Sequence, residues 1–223
     1  MFQRWRWLTF LHWRYEPDAI RRLLPPQVEV DTWDGAAWIG LTPFLLSGLR
    51  PPRSPALPWI SKFPETNVRT YVRDPKGERG VWFFTLEAGR LAAVVGARAL
   101  YHLPYRWAEM RVSRSDRIIE YESWRNPPFG RAESSIAVLR GAPLEAGDFD
   151  NFLTARYRLY TMWGRRLAFA QIEHAPWPLH TARVLRLEQN LIERSGVPRA
   201  EGPPVVHFSP DLEVRIGPLR LYR

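Results

Sequence analysis

Alternation with the two-residue period of a β-strand dominates this chain. Val28–Trp33 is β-branched and aromatic and runs into Asp34-Gly35, a pair suited to the left-handed backbone of a tight hairpin turn. Ala36–Leu46 reads as the return strand, with Pro43 marking an edge or a bulge. Phe63–Arg73 and Val81–Ala88 form a second hairpin pattern around Asp74-Pro75-Lys76-Gly77. Arg111–Ser113 and Arg117–Arg125 form a third around Ser115-Asp116. Ala132–Arg140, Leu159–Trp163, Leu167–Glu173, Thr181–Leu187, Val205–Phe208 and Leu212–Ile216 continue the series. Many short strands at close spacing predict a barrel or a sandwich.

Helical signals are few. Pro17–Leu24 opens on a proline, tolerated in a first turn, and is stopped by Pro25-Pro26. Leu91–Tyr101 aligns Leu91, Val94, Val95, Arg98 and Ala99 on one stripe. Asp148 is placed to cap a helix through about Tyr157, and Glu188–Ser195 is followed by Gly196 and Pro198. Arg50–Pro58 holds four prolines without amide donors and predicts an extended loop that covers something.

Composition narrows the class. The 223 residues are 45% apolar, with 11 Trp and 11 Phe, enough for one mainly-β domain over residues 1–223. The absence of cysteine excludes disulfides, thiolate nucleophiles and Cys-ligated metals. The longest apolar run, Leu91–Ala97, is too short to span a bilayer, and the Trp-rich start is broken by Arg4, Arg6 and Arg14. These features predict a cytoplasmic protein. Net charge is +9 and only Lys62 and Lys76 are lysines. Such a charge attracts anions, whether nucleic acid, lipid head groups or small acidic molecules, and the scatter of the arginines favours a solvated surface with a few special sites over a dedicated nucleic-acid face.

No phosphate loop, dinucleotide glycine fingerprint, nucleophile elbow or His-Glu-x-x-His zinc site is present. His12, His102, His174, His180 and His207 lie at no ligand spacing, so neither a metal nor another cofactor is expected. Alternation along Phe63–Val72 puts Glu65, Asn67, Arg69 and Tyr71 on one face. Spacing alone allows a polar solvent face, the simpler reading, or a cavity wall of acid, amide, guanidinium and phenol. In the second case Arg69 holds a carboxylate or phosphate while Glu65 works as acid or base. Arg98 on its apolar stripe marks either a solvated edge or a group aimed into a pocket. His102-Leu103-Pro104-Tyr105-Arg106 and Trp124-Arg125 are further polar–aromatic clusters with the same two readings.

Taken together, several strings resemble the YqjF-like family of the acetoacetate decarboxylase-like superfamily. They are Phe63–Val72, Gly80-Val81-Trp82-Phe83-Phe84, His102–Arg106, His12-Trp13, Tyr121-x-Ser123-x-Arg125 and His174–Leu179. The resemblance covers nearly the whole chain. It implies a closed, double-layered β-barrel or cone around a cavity, with a few peripheral helices, and an oligomer as one option. Acetoacetate decarboxylases place Pro-Lys-Lys after a helix and form a Schiff base on the second lysine. Pro104-Tyr105-Arg106 stands at that place here. Arginine stays protonated and is no amine nucleophile, so imine chemistry is not expected.

The sequence therefore predicts a pocket for a small anionic or carbonyl-bearing ligand. Glu65 and Tyr105 are its candidate acid–base groups, and Asn67, Arg69, Arg98, His102, Arg106 and Arg125 its candidate binding groups. If turnover occurs, the chemistry is lyase- or isomerase-like. A ligand-binding module without turnover is the alternative, and a nucleic-acid or membrane-surface protein ranks behind both.

Overall fold

The computed structural model describes residues 1–57 and 59–222, so Pro58 of the proline-rich stretch lies outside the described residues. In chain order the elements are β1 (Phe2–Tyr15), α1 (Pro17–Arg21), β2 (Glu29–Val30), β3 (Ala37–Arg50), β4 (Phe63–Arg73), β5 (Arg79–Ala88) and α2 (Leu91–Tyr101). There follow β6 (Tyr105–Ser115), β7 (Ile118–Arg125), β8 (Glu133–Pro143), α3 (Asp148–Thr154), β9 (Arg158–Trp163) and β10 (Arg166–His174). The chain ends with β11 (His180–Gln189), α4 (Leu191–Arg194), β12 (Val205–Ile216) and β13 (Arg220–Leu221). No helix among the described residues is long and apolar enough to cross a membrane.

The sheet closes twice. One ring runs β5-β6-β7-β8-β11-β12-β1-β3-β4 and back to β5; the other runs β5-β9-β10-β12-β1-β3-β4 and back to β5. They share the wall β12-β1-β3-β4-β5, so both faces of that wall are covered. Toward β7 and β8 it buries Leu11, Ile39, Val68 and Val72 with Tyr121, Ile136 and Val138. Toward α2, α3, β9 and β10 it buries Trp38, Tyr71, Phe44 and Phe63 with Leu153, Leu159 and Ile172. This double layering is the closed β-barrel the resemblance implied. It also explains why β3 and β4 are buried almost residue by residue, with no solvent face.

Several elements differ from the sequence expectation. The arginine-broken N-terminus, not predicted as a strand, is the long strand β1. Trp7 takes φ 48°, and the register against β3 shifts between Arg6 and Leu11. Trp5 and Leu8 therefore join one cluster while Trp7 packs on the other, which conceals the period of two. Leu212–Ile216 is continuous with Val205–Phe208 in β12. Pro210 lies opposite the bulge at Trp7, between the stretch paired to β11 and the stretch paired to β10.

The Asp34-Gly35 turn forms with both residues at positive φ, closing Trp33 on Ala36. The preceding strand is short, however, and pairs with β4 instead of β3. Helix α3 begins after Gly147, whose N–H donates to Asp150, and not at an Asp148 cap. It ends by Thr154, where the Arg156 guanidinium donates to the Phe152 carbonyl. Glu188 and Gln189 pair with Ser135 and Ser134 in β11, which shortens α4. On α2 only Val94 of the predicted stripe is buried; Leu91, Val95 and Arg98 are exposed.

Candidate functional site

On β4, Glu65, Asn67, Arg69 and Tyr71 do share a face, and it points into the protein. Glu65 is 4% exposed, Asn67 4% and Arg69 5%. The polar solvent face, the simpler of the two readings, is thus not what forms. A solvated strand was expected from its polar alternation, but the wall to which it belongs is covered on both sides.

The four groups are served very unequally. Glu65 Oε2 accepts a hydrogen bond from the Tyr105 hydroxyl at 3.0 Å. Tyr105 begins β6, beside Leu86 of β5, where the helix α2 has returned the chain parallel to β5. Burial pushes the Glu65 carboxyl from the ordinary 4.5 up to about 8, the Tyr105 bond only partly opposing it. Glu65 is therefore a neutral acid at pH 7. Burial and the neighbouring Glu65 also hold the Tyr105 phenol well above its usual range.

Arg69 has no carboxylate within ion-pair distance among the described residues. Its Nη2 makes two long contacts, 3.4 Å to the Leu153 carbonyl and 3.5 Å to the Tyr71 hydroxyl, and its Nε has no partner among the described residues. Its guanidinium lies 5.2 Å from the Phe10 ring centre and 5.7 Å from that of Tyr71. Asn67 Oδ1 is likewise unpartnered.

Beside them, His12 Nε2 stands 2.5 Å from the Tyr71 hydroxyl, which donates to the Leu153 carbonyl. The hydroxyl thus accepts from Nε2–H, leaving His12 Nδ1 as a bare acceptor without a partner among the described residues. Burial first, then the cationic Arg69, holds His12 well below its usual range and keeps it neutral. Gly40 makes this approach possible, because a Cβ there would lie 3.0 Å from His12 Nε2 and 3.5 Å from Arg69 Cγ. His12 was missed as a site residue in the sequence; its one signal was the His12-Trp13 string of the resemblance.

The remaining predicted residues lie elsewhere. Arg125 is buried against Glu87 of β5, with Nη2 2.5 Å from Oε1 and Nε 3.0 Å from Oε2, and Thr85 also donates to that carboxylate. Glu87, another residue not anticipated, alternates with Leu86 and Ala88 and so faces away from Glu65. Arg106 follows Tyr105 and falls opposite Glu87 in register, on Glu87's side of the wall. It is half-buried, 5.3 Å from the Phe129 ring centre, its guanidinium pKa lowered by burial and by Arg98 and Arg125. Arg98 is exposed, donates to the Tyr105 carbonyl at 2.9 Å and also stands over Phe129. Exposed His102 caps α2 at φ 52° and packs on Trp163. Glu65, Asn67 and Arg69 thus share one buried face of β4 and Tyr105 joins them at Glu65, while Arg98, His102, Arg106 and Arg125 are not among them.

An apolar cleft of about 230 Å³ adjoins the Glu65 end of this face, sharing Tyr105 with it. A larger, more open hollow of about 730 Å³ between Arg4, Arg50, Asp211 and Arg215 touches none of these groups.

Comparison with known proteins agrees with this architecture. The acetoacetate decarboxylase of Legionella pneumophila superposes with a TM-score of 0.68 at 16% identity, covering 99% of this chain and 88% of that one. An acetoacetate decarboxylase-like enzyme of Sphingomonas wittichii RW1 gives 0.69 at 12% identity, covering 100% and 92%. The enduracididine biosynthesis enzyme MppR complexed with pyruvate gives 0.65 at 15%, covering 99% and 89%. At such identities these likenesses show the fold. By sequence, the uncharacterized protein YqjF of Bacillus subtilis (strain 168) is 36% identical over 222 residues, 99% of this chain and 91% of the relative. With residues 2–213 matching the model of the uncharacterized conserved protein COG2071, this chain belongs to that family, DUF2071.

Proposed function

We propose that the protein binds a small anionic or carbonyl-bearing molecule against Arg69, Asn67, Glu65 and Tyr105, and that proton transfer is the chemistry this site offers. The observation that carries the reading is Arg69, a buried guanidinium with no carboxylate within ion-pair distance among the described residues. Burying a cation without a counter-charge is costly, and an anionic or carbonyl oxygen supplied by a ligand removes that cost. Beside it stands His12, a neutral imidazole with a free acceptor nitrogen, and two alternations along the same face of β4 stands Glu65, a neutral carboxyl able to donate a proton.

Imine chemistry has no support in the geometry. Lys62 and Lys76 are both exposed, so neither amine has the buried surroundings that an imine-forming lysine uses. Binding without turnover is the second reading. It is favoured by Tyr105, whose hydroxyl already donates to Glu65 and so competes with a substrate for it.

Thermal unfolding in the presence of small carboxylates, 2-oxo acids and enolisable ketones, followed by product analysis, tests the site. A ligand at 100 times its Kd should stabilise the protein by about 2.7 kcal/mol. That gain should vanish in Arg69→Met and shrink in Glu65→Gln, and borohydride should trap no adduct on either lysine. A ligand that stabilises all three proteins equally would refute the reading. Conversion that disappears in Glu65→Gln marks an enzyme; stabilisation without conversion marks a binding module.

A further inference from the structure

The cleft beside Tyr105 carries a conclusion about the shape of the ligand. It lies between α2 and the wall of the barrel and is lined by Leu46, Phe63, Ala93, Gly96, Leu103 and Tyr105. Among the described residues, the polar groups of its lining side chains are those of Gln3, Tyr101 and Tyr105, and the Met1 ammonium at its edge donates to the Ile216 carbonyl. The Tyr101 hydroxyl donates to the Gly217 carbonyl and that of Tyr105 to Glu65. Ile60, which follows the proline-rich stretch, flanks the cleft, and the Trp59 carbonyl beside it accepts from Arg90 Nε at the start of α2 at 2.8 Å.

Two features show that this space is not a packing accident. Gly96 sits mid-helix, where glycine costs roughly 1 kcal/mol relative to alanine, and a Cβ built on it meets nothing within 4 Å. The helix thus carries an unfavourable residue on the face that leaves the cleft open. Leu100 and Ile60, which also line it, are exposed large apolar residues, so the cleft communicates with the surface along an apolar rim.

We infer that the ligand of the Glu65–Arg69 site is an amphiphile: a carboxylate or carbonyl head at the polar face of β4 and an unbranched alkyl or acyl tail in this cleft. The inference rests on the head-group reading above and adds the tail. A dry cavity of about 150 Å³ takes a six-carbon ring, so about 230 Å³ takes a tail of roughly eight to ten carbons. Tyr105 joins the two parts, since it lines the cleft and its hydroxyl meets Glu65.

Calorimetric titration with straight-chain alkanoates from butanoate to dodecanoate, and with octan-1-ol as a tail lacking the charged head, tests this. Affinity should rise about fourfold per methylene, the fold-change equivalent to about 0.8 kcal/mol for each buried CH₂, and level off near decanoate. Gly96→Leu fills the cleft with a good helix former. It should fold at least as stably, keep the affinity for butanoate and lose tenfold or more for decanoate. Affinity indifferent to chain length, or decanoate binding unchanged in Gly96→Leu, would overturn the tail while leaving the head site standing. Octan-1-ol binding that is blocked by Gly96→Leu, together with alkanoate binding indifferent to Arg69→Met, would uphold the cleft and overturn the head-group reading. No binding of decanoate or octan-1-ol would overturn the inference.

Discussion

The two faces of the β4–β5 wall each bury a glutamate and an arginine, and treat them in opposite ways. On one face Glu87 and Arg125 form a two-point ion pair, and Thr85 adds a third hydrogen bond to the same carboxylate. On the other, Glu65 and Arg69 are two steps of alternation apart on one strand. Glu65 turns to the Tyr105 hydroxyl and Arg69 is left to two long contacts. Asp31, buried with Arg73, Arg79 and Arg156 around it, belongs with the satisfied group. Charges that complete one another hold a fold together. A cation left without a carboxylate at comparable burial, on the face of an acid that keeps its proton, is uncompensated, and that is the condition of a site awaiting a partner.

The largest expected effect is on how stability depends on pH. Glu65 holds its proton in the folded protein up to about pH 8 but releases it near 4.5 when unfolded. Between these values the native state binds more protons than the unfolded state, so stability falls as pH rises. The loss is about 4–5 kcal/mol across the window and is complete above it. Urea unfolding at pH 5 and pH 8.5 should show wild type weakening relative to Glu65→Gln by this amount. Parallel behaviour of the two proteins would mean that Glu65 is solvated or already ionised. His12 acts in the opposite sense. Its lowered value costs stability as pH falls below 6.5, and taking the difference between wild type and Glu65→Gln cancels that contribution.

Next in size is the satisfied pair. Arg125→Met should cost about 3–5 kcal/mol, because Glu87 is then a buried charge without its partner. The double variant Glu87→Leu with Arg125→Met should recover most of that loss, since an apolar pair of similar volume removes both charges at once. Denaturant midpoints of the single and double variants measure the coupling directly. A double variant as weak as the single would show that packing, and not the ion pair, sets the cost.

Much of this contrast was already present in the sequence, up to a limit set by topology. Alternation alone placed Glu65, Asn67, Arg69 and Tyr71 together, because strand side chains must alternate. It could not say that both sides of β4 are covered, since that depends on β5 pairing with β6 and β9 as well as β4. Arg106 was expected beside Arg69 on the strength of the resemblance. Yet it directly follows Tyr105 on a strand, so the two cannot both face Glu65. His12 stayed hidden because the bulge at Trp7 breaks the period of β1, and His12 meets Tyr71 only through the closeness that Gly40 permits. The α2 stripe misled for a different reason. The helix packs through Val94, turns its small residues Ala93 and Gly96 to the cleft and leaves its larger ones, Leu91 and Val95, outside.

The smallest expected effect is also the most direct test of the contrast: the unfolding free energy of Arg69→Met, measured by urea beside that of Arg125→Met under the same conditions. Removing an arginine that has no carboxylate partner among the described residues relieves an uncompensated cation and gives up two long hydrogen bonds and the contacts with the Phe10 and Tyr71 rings, which methionine partly keeps. Arg69→Met should therefore change stability by no more than about 1 kcal/mol, or raise it, while Arg125→Met loses several. A loss at Arg69 as large as that at Arg125 would contradict the account, because Arg69 would then be a structural residue whose place in the fold needs no ligand.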